Sequence, residues 1–263
     1  MTEPLPRLVG MVHLLPLPGS PRYGGSIGEV IEVAIEDARV LVDAGFPALI
    51  VENFGDAPFY AESVPPETIA AMTRAVAEVA GLGAPVGVNV LRNDALAALG
   101  IAAATGARFI RVNVLTGLMY TDQGPIVGKA AEVQRTKAAL APEVEIWADV
   151  LVKHSTPPPG TDLRQATVNT VERGLADAVI VSGSGTGEAI DVAEAKLVAA
   201  AVGAGTRVVA GSGVTTDNLD RLLGAVDTII VGSSIKVDGH PEKRPHPLRA
   251  GAFIEAAAER GLV

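Results

Sequence analysis

Cysteine is absent from the 263 residues. That excludes disulfides, thiolate metal sites and a cysteine nucleophile. Aromatic residues make up only 3%, so a core must be assembled from Ala, Val, Leu and Ile. There is no basic excess: 21 Lys and Arg stand against 30 Asp and Glu, a net charge of -9. An acidic surface repels phosphate backbones and anionic lipid. General adhesion to nucleic acid and insertion into membranes are therefore excluded, while a local cationic pocket is not. No stretch reaches the ~18 uninterrupted apolar residues of a membrane-spanning helix. No leader is legible either. Met1-Thr2-Glu3-Pro4 lacks a basic start, and the apolar run from Leu8 is broken by Gly10, His13 and Pro16. A cytoplasmic location is the expectation.

What is present is apolar. Hydrophobic residues reach 48% and charged ones 19%, which excludes a disordered chain. The length suits one large core, and an α/β barrel typically needs about 250 residues, so a single domain over residues 1–263 is expected. Eight β-rich runs recur: Arg7–Leu14, Ala48–Asn53, Pro85–Leu91, Phe109–Leu115, Val144–His154, Ala178–Ser182, Arg207–Ala210 and Thr228–Gly232. Most begin continuously apolar, as strands buried on both faces do. Helical patterns fill the gaps, among them Ile27–Ala44, Pro66–Ala80, Leu163–Arg173 and Asn218–Leu223. Glycines at 45, 106, 174 and 224 punctuate the passage from helix to strand. The reading is a closed (β/α)8 TIM barrel, with an open doubly wound sheet as the alternative.

Barrel sites form at the C-terminal ends of the strands, and polar residues collect there. In chain order they are His13, Glu52-Asn53, Asn89 then Arg92-Asn93, Arg111 with Asn113, Asp149 with Lys153 and His154, Ser182-Gly183, Gly211-Ser212-Gly213 and Gly232-Ser233-Ser234. The last two elements let backbone N–H groups approach an anion, and loops seven and eight often hold phosphate in barrels. The alternative is two ordinary tight turns. Ser182-Gly183-Ser184-Gly185-Thr186-Gly187 reads as a further cradle or as a lid.

Asp149 and Lys153 are four apart and would share a face in a regular strand. They read as an acid–base pair, with a structural ion pair as the alternative. His13 reads as an acid–base group, a ligand contact or a core histidine. A divalent ion at His13, Glu52, Asp149 and His154 stays open, and no other cofactor is called for. The Pro-rich stretch Leu14–Gly25, the segment Thr116–Gly128 and the loop His154–Gly160 read as long loops over a ligand. His240 and His246 read as solvated.

Several of these segments together resemble the BtpA/SgcQ family. They are Met11-Val12-His13-Leu14-Leu15-Pro16-Leu17-Pro18-Gly19-Ser20-Pro21, Glu52-Asn53, Asn89-Val90-Leu91-Arg92-Asn93, Phe109-Ile110-Arg111-Val112-Asn113 and Thr121-Asp122-Gln123-Gly124. Ala148-Asp149-Val150, Val152-Lys153-His154, Gly211-Ser212-Gly213-Val214-Thr215 and Val231-Gly232-Ser233-Ser234-Ile235-Lys236 extend the likeness. It spans roughly residues 8–236. The resemblance implies a ribulose-phosphate-binding type of TIM barrel. The family's founding member is associated with photosystem I biogenesis, and another branch accompanies sugar-transport genes. Where the family's strand-eight motif has Gly-Thr, this chain has Gly232-Ser233, which keeps the hydroxyl.

Two functional expectations follow. The first is an enzyme on a small phosphorylated metabolite, a sugar or nucleoside phosphate, with isomerase, aldolase or lyase chemistry. Asp149, Lys153, His13 and Glu52 would be catalytic. Asn89, Arg111, Asn113, His154, Ser182 and Thr186 would contact substrate. Gly211, Ser212, Gly213, Gly232, Ser233 and Ser234 would hold phosphate. Its partners would be that metabolite and further copies of the chain. The second is a non-catalytic photosystem I biogenesis or stability factor, which needs an exposed apolar docking patch.

Overall fold

A computed structural model describes residues 5–183, 185–203 and 205–263. Eight parallel strands close into a barrel: β1 (Leu8–His13), β2 (Leu49–Glu52), β3 (Val86–Asn89), β4 (Phe109–Val112), β7 (Glu145–Asp149), β9 (Ala178–Val181), β10 (Arg207–Ala210) and β11 (Thr228–Val231). β11 pairs with β1 to complete the ring. Each strand lies inside one of the eight apolar runs. Closure removes the sheet edges that an open sheet would expose.

Helices α1 (Ile27–Ala44), α2 (Pro66–Ala80), α3 (Ala95–Thr105), α4 (Ala130–Leu140), α5 (Leu163–Val168), α6 (Val192–Val202), α7 (Leu219–Leu222) and α8 (Pro247–Ala258) fall in the gaps between strands and after β11. α1 and α2 match their expected bounds because their ends carry local signals. Ser26 caps α1 by accepting from the Glu29 N–H at 3.1 Å. Gly45 then ends it at φ 106°, a left-handed conformation that glycine adopts without steric cost. Pro66 opens α2 where no N–H is needed. α5 continues as a π-helical turn over Asn169–Arg173, so the expected Leu163–Arg173 helix is one segment in two geometries. None of the described helices is long and apolar enough to cross a membrane.

Three expectations need correction. The segment Thr116–Gly128 is a β-hairpin, β5 (Leu118–Thr121) and β6 (Gly124–Val127), and β8 (Ser155–Thr156) pairs onto it. The run Val144–His154 is a strand only as far as Asp149. Leu151 and His154 then take left-handed conformations, at φ 52° and 54°, and turn the chain across the barrel mouth. Val152 instead packs with Val114, Met119 and Ile126 under the hairpin. His246 is also half-buried rather than solvated, whereas His240 is exposed.

The barrel interior shows how a chain poor in aromatics fills its axis. Phe109 and Trp147 stack there with centroids 4.0 Å apart, among Val9, Met11, Ile50, Ile180, Val209 and Ile230. Gly87 on β3 makes the room: a Cβ there would stand 2.2 Å from the Phe109 ring. Gly87→Ala is expected to cost about 1–3 kcal/mol by overpacking, read by urea unfolding. A neutral result would mean that the stacked rings are free to move.

Candidate active site

The alternation of strand side chains assembles the site. The apolar layer contains Met11, Ile50, Phe109, Trp147, Ile180, Val209 and Ile230. Two residues further along each strand, side chains point inward again. Those positions are His13, Glu52, Arg111, Asp149, Ser182, Gly211 and Gly232, and Asn89 follows Gly87 on β3 in the same way. One polar layer therefore caps the apolar axis at the C-terminal end of the barrel.

Arg111 and Asp149 are its fixed core. The guanidinium meets the carboxylate through two bonds, each 2.8 Å long, and both side chains are almost wholly buried. Ser182 Oγ donates to the same carboxylate at 3.2 Å and Asn113 Nδ2 at 3.4 Å. Burial opposes the Arg111 charge, but the adjoining Asp149 carboxylate more than compensates and raises its pKa. Asn89 donates from Nδ2 to the Arg111 carbonyl and to Asn113 Oδ1, 3.1 Å each. Its Oδ1 is buried with no partner among the described residues. Asp149 thus pairs with Arg111. It lines neither of the two cavities that Lys153 borders, and faces a separate cleft beside Asn113 and Gln165.

His13, Glu52 and Lys236 form a second cluster. Lys236 is 1% exposed. Its Nζ donates to His13 Nδ1 at 2.7 Å and to the Pro241 carbonyl at 2.9 Å. His13 Nδ1 also lies 2.8 Å from the same Pro241 carbonyl, so this nitrogen is set between a cationic donor and a carbonyl acceptor. Nε2 faces Glu52 Oε1 at 3.6 Å, and the ring stacks on Phe54 with centroids 4.2 Å apart. Burial, reinforced by Lys236, holds the His13 pKa well below 6.5, so the ring is neutral at pH 7. Burial also lowers the Lys236 pKa, to about 8, against the pull of Asp37 and Glu52.

Lys153 reaches the mouth from the turn after β7, not from a strand face. Its Nζ has no hydrogen-bond or ion-pair partner among the described residues. Burial and the nearby Arg111 charge bring its pKa down from 10.5 to about 8, with Glu52 and Asp149 opposing. Lys153 and Glu52 line one cavity of about 410 Å3 together with His13, Arg111 and Thr186.

The far wall of that cavity is built from Gly187, Gly211–Asp217 and Gly232–Ser234, with Arg249 of α8 beside them. The amides of Gly213, Val214, Ser233 and Ser234 donate to no described residue. Only glycine fits at 213: φ is +67° and a Cβ would stand 1.8 Å from the Glu188 carbonyl. Two hydroxyls here are already engaged. Ser234 Oγ donates to the Val214 carbonyl at 2.7 Å, and Ser212 Oγ accepts from the Gly183 N–H at 3.2 Å. Of the Ser182–Gly187 segment, Ser184 lies outside the described residues.

A second lobe of about 480 Å3 opens on the other side of Lys153. Glu52, Phe54, Arg111, Lys153 and Thr186 are common to both lobes, and Arg92, Asn113 and His154 also line the second. The Thr186 N–H donates to His154 Nε2 at 3.1 Å, and Thr186 Oγ1 lies 2.8 Å from the same nitrogen. That bond fixes the Nδ1–H tautomer, and burial together with Lys153 lowers the ring's pKa. Among the described residues no group of three or more His, Asp or Glu side chains converges that could hold a metal. Asp149 is taken by Arg111 and His154 by Thr186, so the four residues left open for a divalent ion do not form one shell.

Lys236, Arg249 and Phe54 were not among the expected site residues, and Arg92 stood among the polar residues after strand three without a role. Lys236 closes the glycine motif after β11, so position along the chain could have found it. Arg249 lies beyond a Pro-rich segment and carries no local signal.

Comparison with known proteins adds relatives to this geometry. The chain is 49% identical over 253 residues to a Synechocystis protein named photosystem I biogenesis protein BtpA, covering 96% of this chain and 88% of that one. It is 48% identical over 254 residues to an uncharacterized Thermococcus kodakarensis protein, covering 96% and 95%. The thiamine phosphate pyrophosphorylase structure from Pyrococcus furiosus superposes with a TM-score of 0.59 at 15% identity, covering 96% of both chains. That likeness is one of fold. A family model matches residues 5–259, almost the whole sequence, and the chain belongs to the BtpA family.

Proposed function

We propose that this chain is an enzyme on a small phosphorylated metabolite, with Lys153 and Glu52 moving protons in isomerase, aldolase or lyase chemistry. One observation carries the reading. Four backbone amides without acceptors share a cavity with a lysine amine that has no partner. Clustered N–H groups are an anion cradle, and Arg249 adds a charge beside it. The Pyrococcus furiosus barrel is itself named for a phosphorylated ligand.

In this reading phosphate sits on Gly211, Ser212, Gly213, Gly232, Ser233 and Ser234, and the reacting carbons extend over Lys153 and Glu52. The buried carboxylate of Glu52 removes a proton, and the Lys153 ammonium donates one or stabilises the developing oxyanion. His13 places its Nε2 beside Glu52 and its Nδ1 beside Lys236. Asp149 positions Arg111. A single domain over residues 1–263, self-association and a cytoplasmic location belong to the same proposal.

The Synechocystis name raises the alternative of a non-catalytic role in photosystem I biogenesis. Nearly equal identity to the Thermococcus protein gives it no preference. An assembly factor also has no use for an unpaired buried amine.

The cradle is tested with inorganic phosphate. Calorimetry should show binding that Arg249→Gln weakens about tenfold, the scale of one charge-assisted contact. Unchanged affinity in that variant would place the anion elsewhere.

A further inference from the structure

We propose that the second lobe is a carboxylate subsite, so that the ligand is a phosphorylated organic acid spanning both lobes. The inference rests on the glycine loops holding the phosphate end.

It starts from Arg92, which is 5% exposed and lines the second lobe. A buried guanidinium is normally neutralised by a carboxylate. Arg111 shows that arrangement, held by both oxygens of Asp149. Arg92 has only a neutral acceptor, the Lys153 carbonyl at 2.6 Å. No carboxylate lies within ion-pair distance of it among the described residues.

Lys153 repeats the pattern in the same lobe. Its amine has no partner among the described residues; burial lowers its pKa most, and Arg111 and Arg92 add to that against Glu52 and Asp149. The acidic residues of the lobe do not cancel this positive charge. Glu242 pairs with Arg22 at 3.3 Å, Asp122 accepts from the Gln123 side chain, and Glu52 faces His13.

The lobe differs from the glycine cradle in kind. Ala57, Phe59 and Leu91 form its remaining wall, with no glycine loop of free amides. A planar fork with one ammonium beside it matches a carboxylate, which an arginine can hold through two parallel bonds. Phosphate at one end and carboxylate at the other would fix a ligand across Lys153 and Glu52, where the proposed proton transfers occur.

The experiment uses three probes on the full chain: inorganic phosphate, 6-phosphogluconate and glucitol 6-phosphate. The last two are open six-carbon chains that differ only in a terminal carboxylate against an alcohol. The wild type should bind the acid about ten- to a hundredfold more tightly than the alcohol, the range of a charged hydrogen-bond pair. Arg92→Gln should erase that preference and leave the affinity for inorganic phosphate unchanged, which also reports that the variant is folded. Arg92→Lys, which keeps the charge and loses the fork, should retain part of it. Equal affinity for acid and alcohol in a wild type that binds phosphate would overturn the carboxylate subsite alone. A preference that survives Arg92→Gln would overturn it as well. Failure of inorganic phosphate to bind would instead remove the cradle beneath both readings.

Discussion

Arg111→Met is expected to destabilise the barrel by about 3–5 kcal/mol, the range for removing one partner of a buried ion pair. The side chain of Asp149 is fully enclosed, and Arg111 supplies two of its bonds at 2.8 Å. Without the guanidinium, the carboxylate keeps only Ser182 and a long contact to Asn113. A buried charge left with neutral donors costs more than the pair was worth. Asp149→Leu, which strands Arg111 instead, should lose a comparable amount. The double variant Arg111→Met with Asp149→Leu should lose much less than the sum, since an apolar replacement strands nothing. Urea unfolding of the three variants forms the cycle. Additive losses, or a loss below about 1 kcal/mol for either single variant, would show that the pair is not held as described.

Lys153→Met is expected to lower turnover by about a hundredfold or more with little loss of stability. Lys153 makes no hydrogen bond through its amine, so its removal leaves no donor or acceptor unsatisfied. Solvent-deuterium exchange into a panel of phosphorylated ketoses and keto acids, followed by NMR, measures the proton transfer itself. The pH profile separates the roles of the amine. With a pKa of about 8, a proton-donating ammonium is present below that value, and exchange should fall as the pH rises through it. A free amine acting as a base or nucleophile would give the opposite slope. Lys236 also titrates at about 8, so Lys153→Arg supplies the control. Arginine keeps its proton, and the falling limb should move to higher pH. A limb that stays near 8 in that variant would assign it to Lys236, and exchange undiminished in Lys153→Met would remove the lysine from the chemistry.

The sequence made the scaffold legible because its signals are local. Apolar runs entered after glycines gave the strands, and Gly45 and Pro66 marked helix ends to the residue. The polar layer was also visible, since residues two positions beyond the apolar ones must face inward too. The partners within that layer were not. Asp149 was matched with Lys153 by spacing in one strand, whereas its bonded neighbour comes from β4. The ladder sets Arg111 beside Trp147, and the long guanidinium reaches one step up to Asp149. Such a contact depends on the stagger between strands, which no single segment encodes. The overextended strand has a similar cause. Val150, Leu151 and Val152 are apolar, and apolarity reports burial without saying under what. Val152, with Leu151 against it, is covered by the hairpin, whose own alternation was read as loop, while Val150 belongs to the main core. The roles of Arg92 and Lys236, though not their places in the chain, needed the third dimension: Arg92 has no carboxylate partner among the described residues, and Lys236 reaches His13 from the far end of the sequence.

The lone indole of Trp147 gives the molecule a built-in optical reporter. It is fully buried, stacked on Phe109 and overlain by Arg207 at 5.3 Å. It stands one inward step, about 7 Å, beneath Asp149. Its emission should be blue-shifted in the native state and shift red only when the barrel opens, so a single wavelength follows unfolding without any label. Because the polar layer lies directly above it, a ligand that shifts Arg111 or Asp149 should change its intensity while leaving the emission maximum in place. Binding and unfolding would then be distinguishable in one cuvette, from the same chromophore.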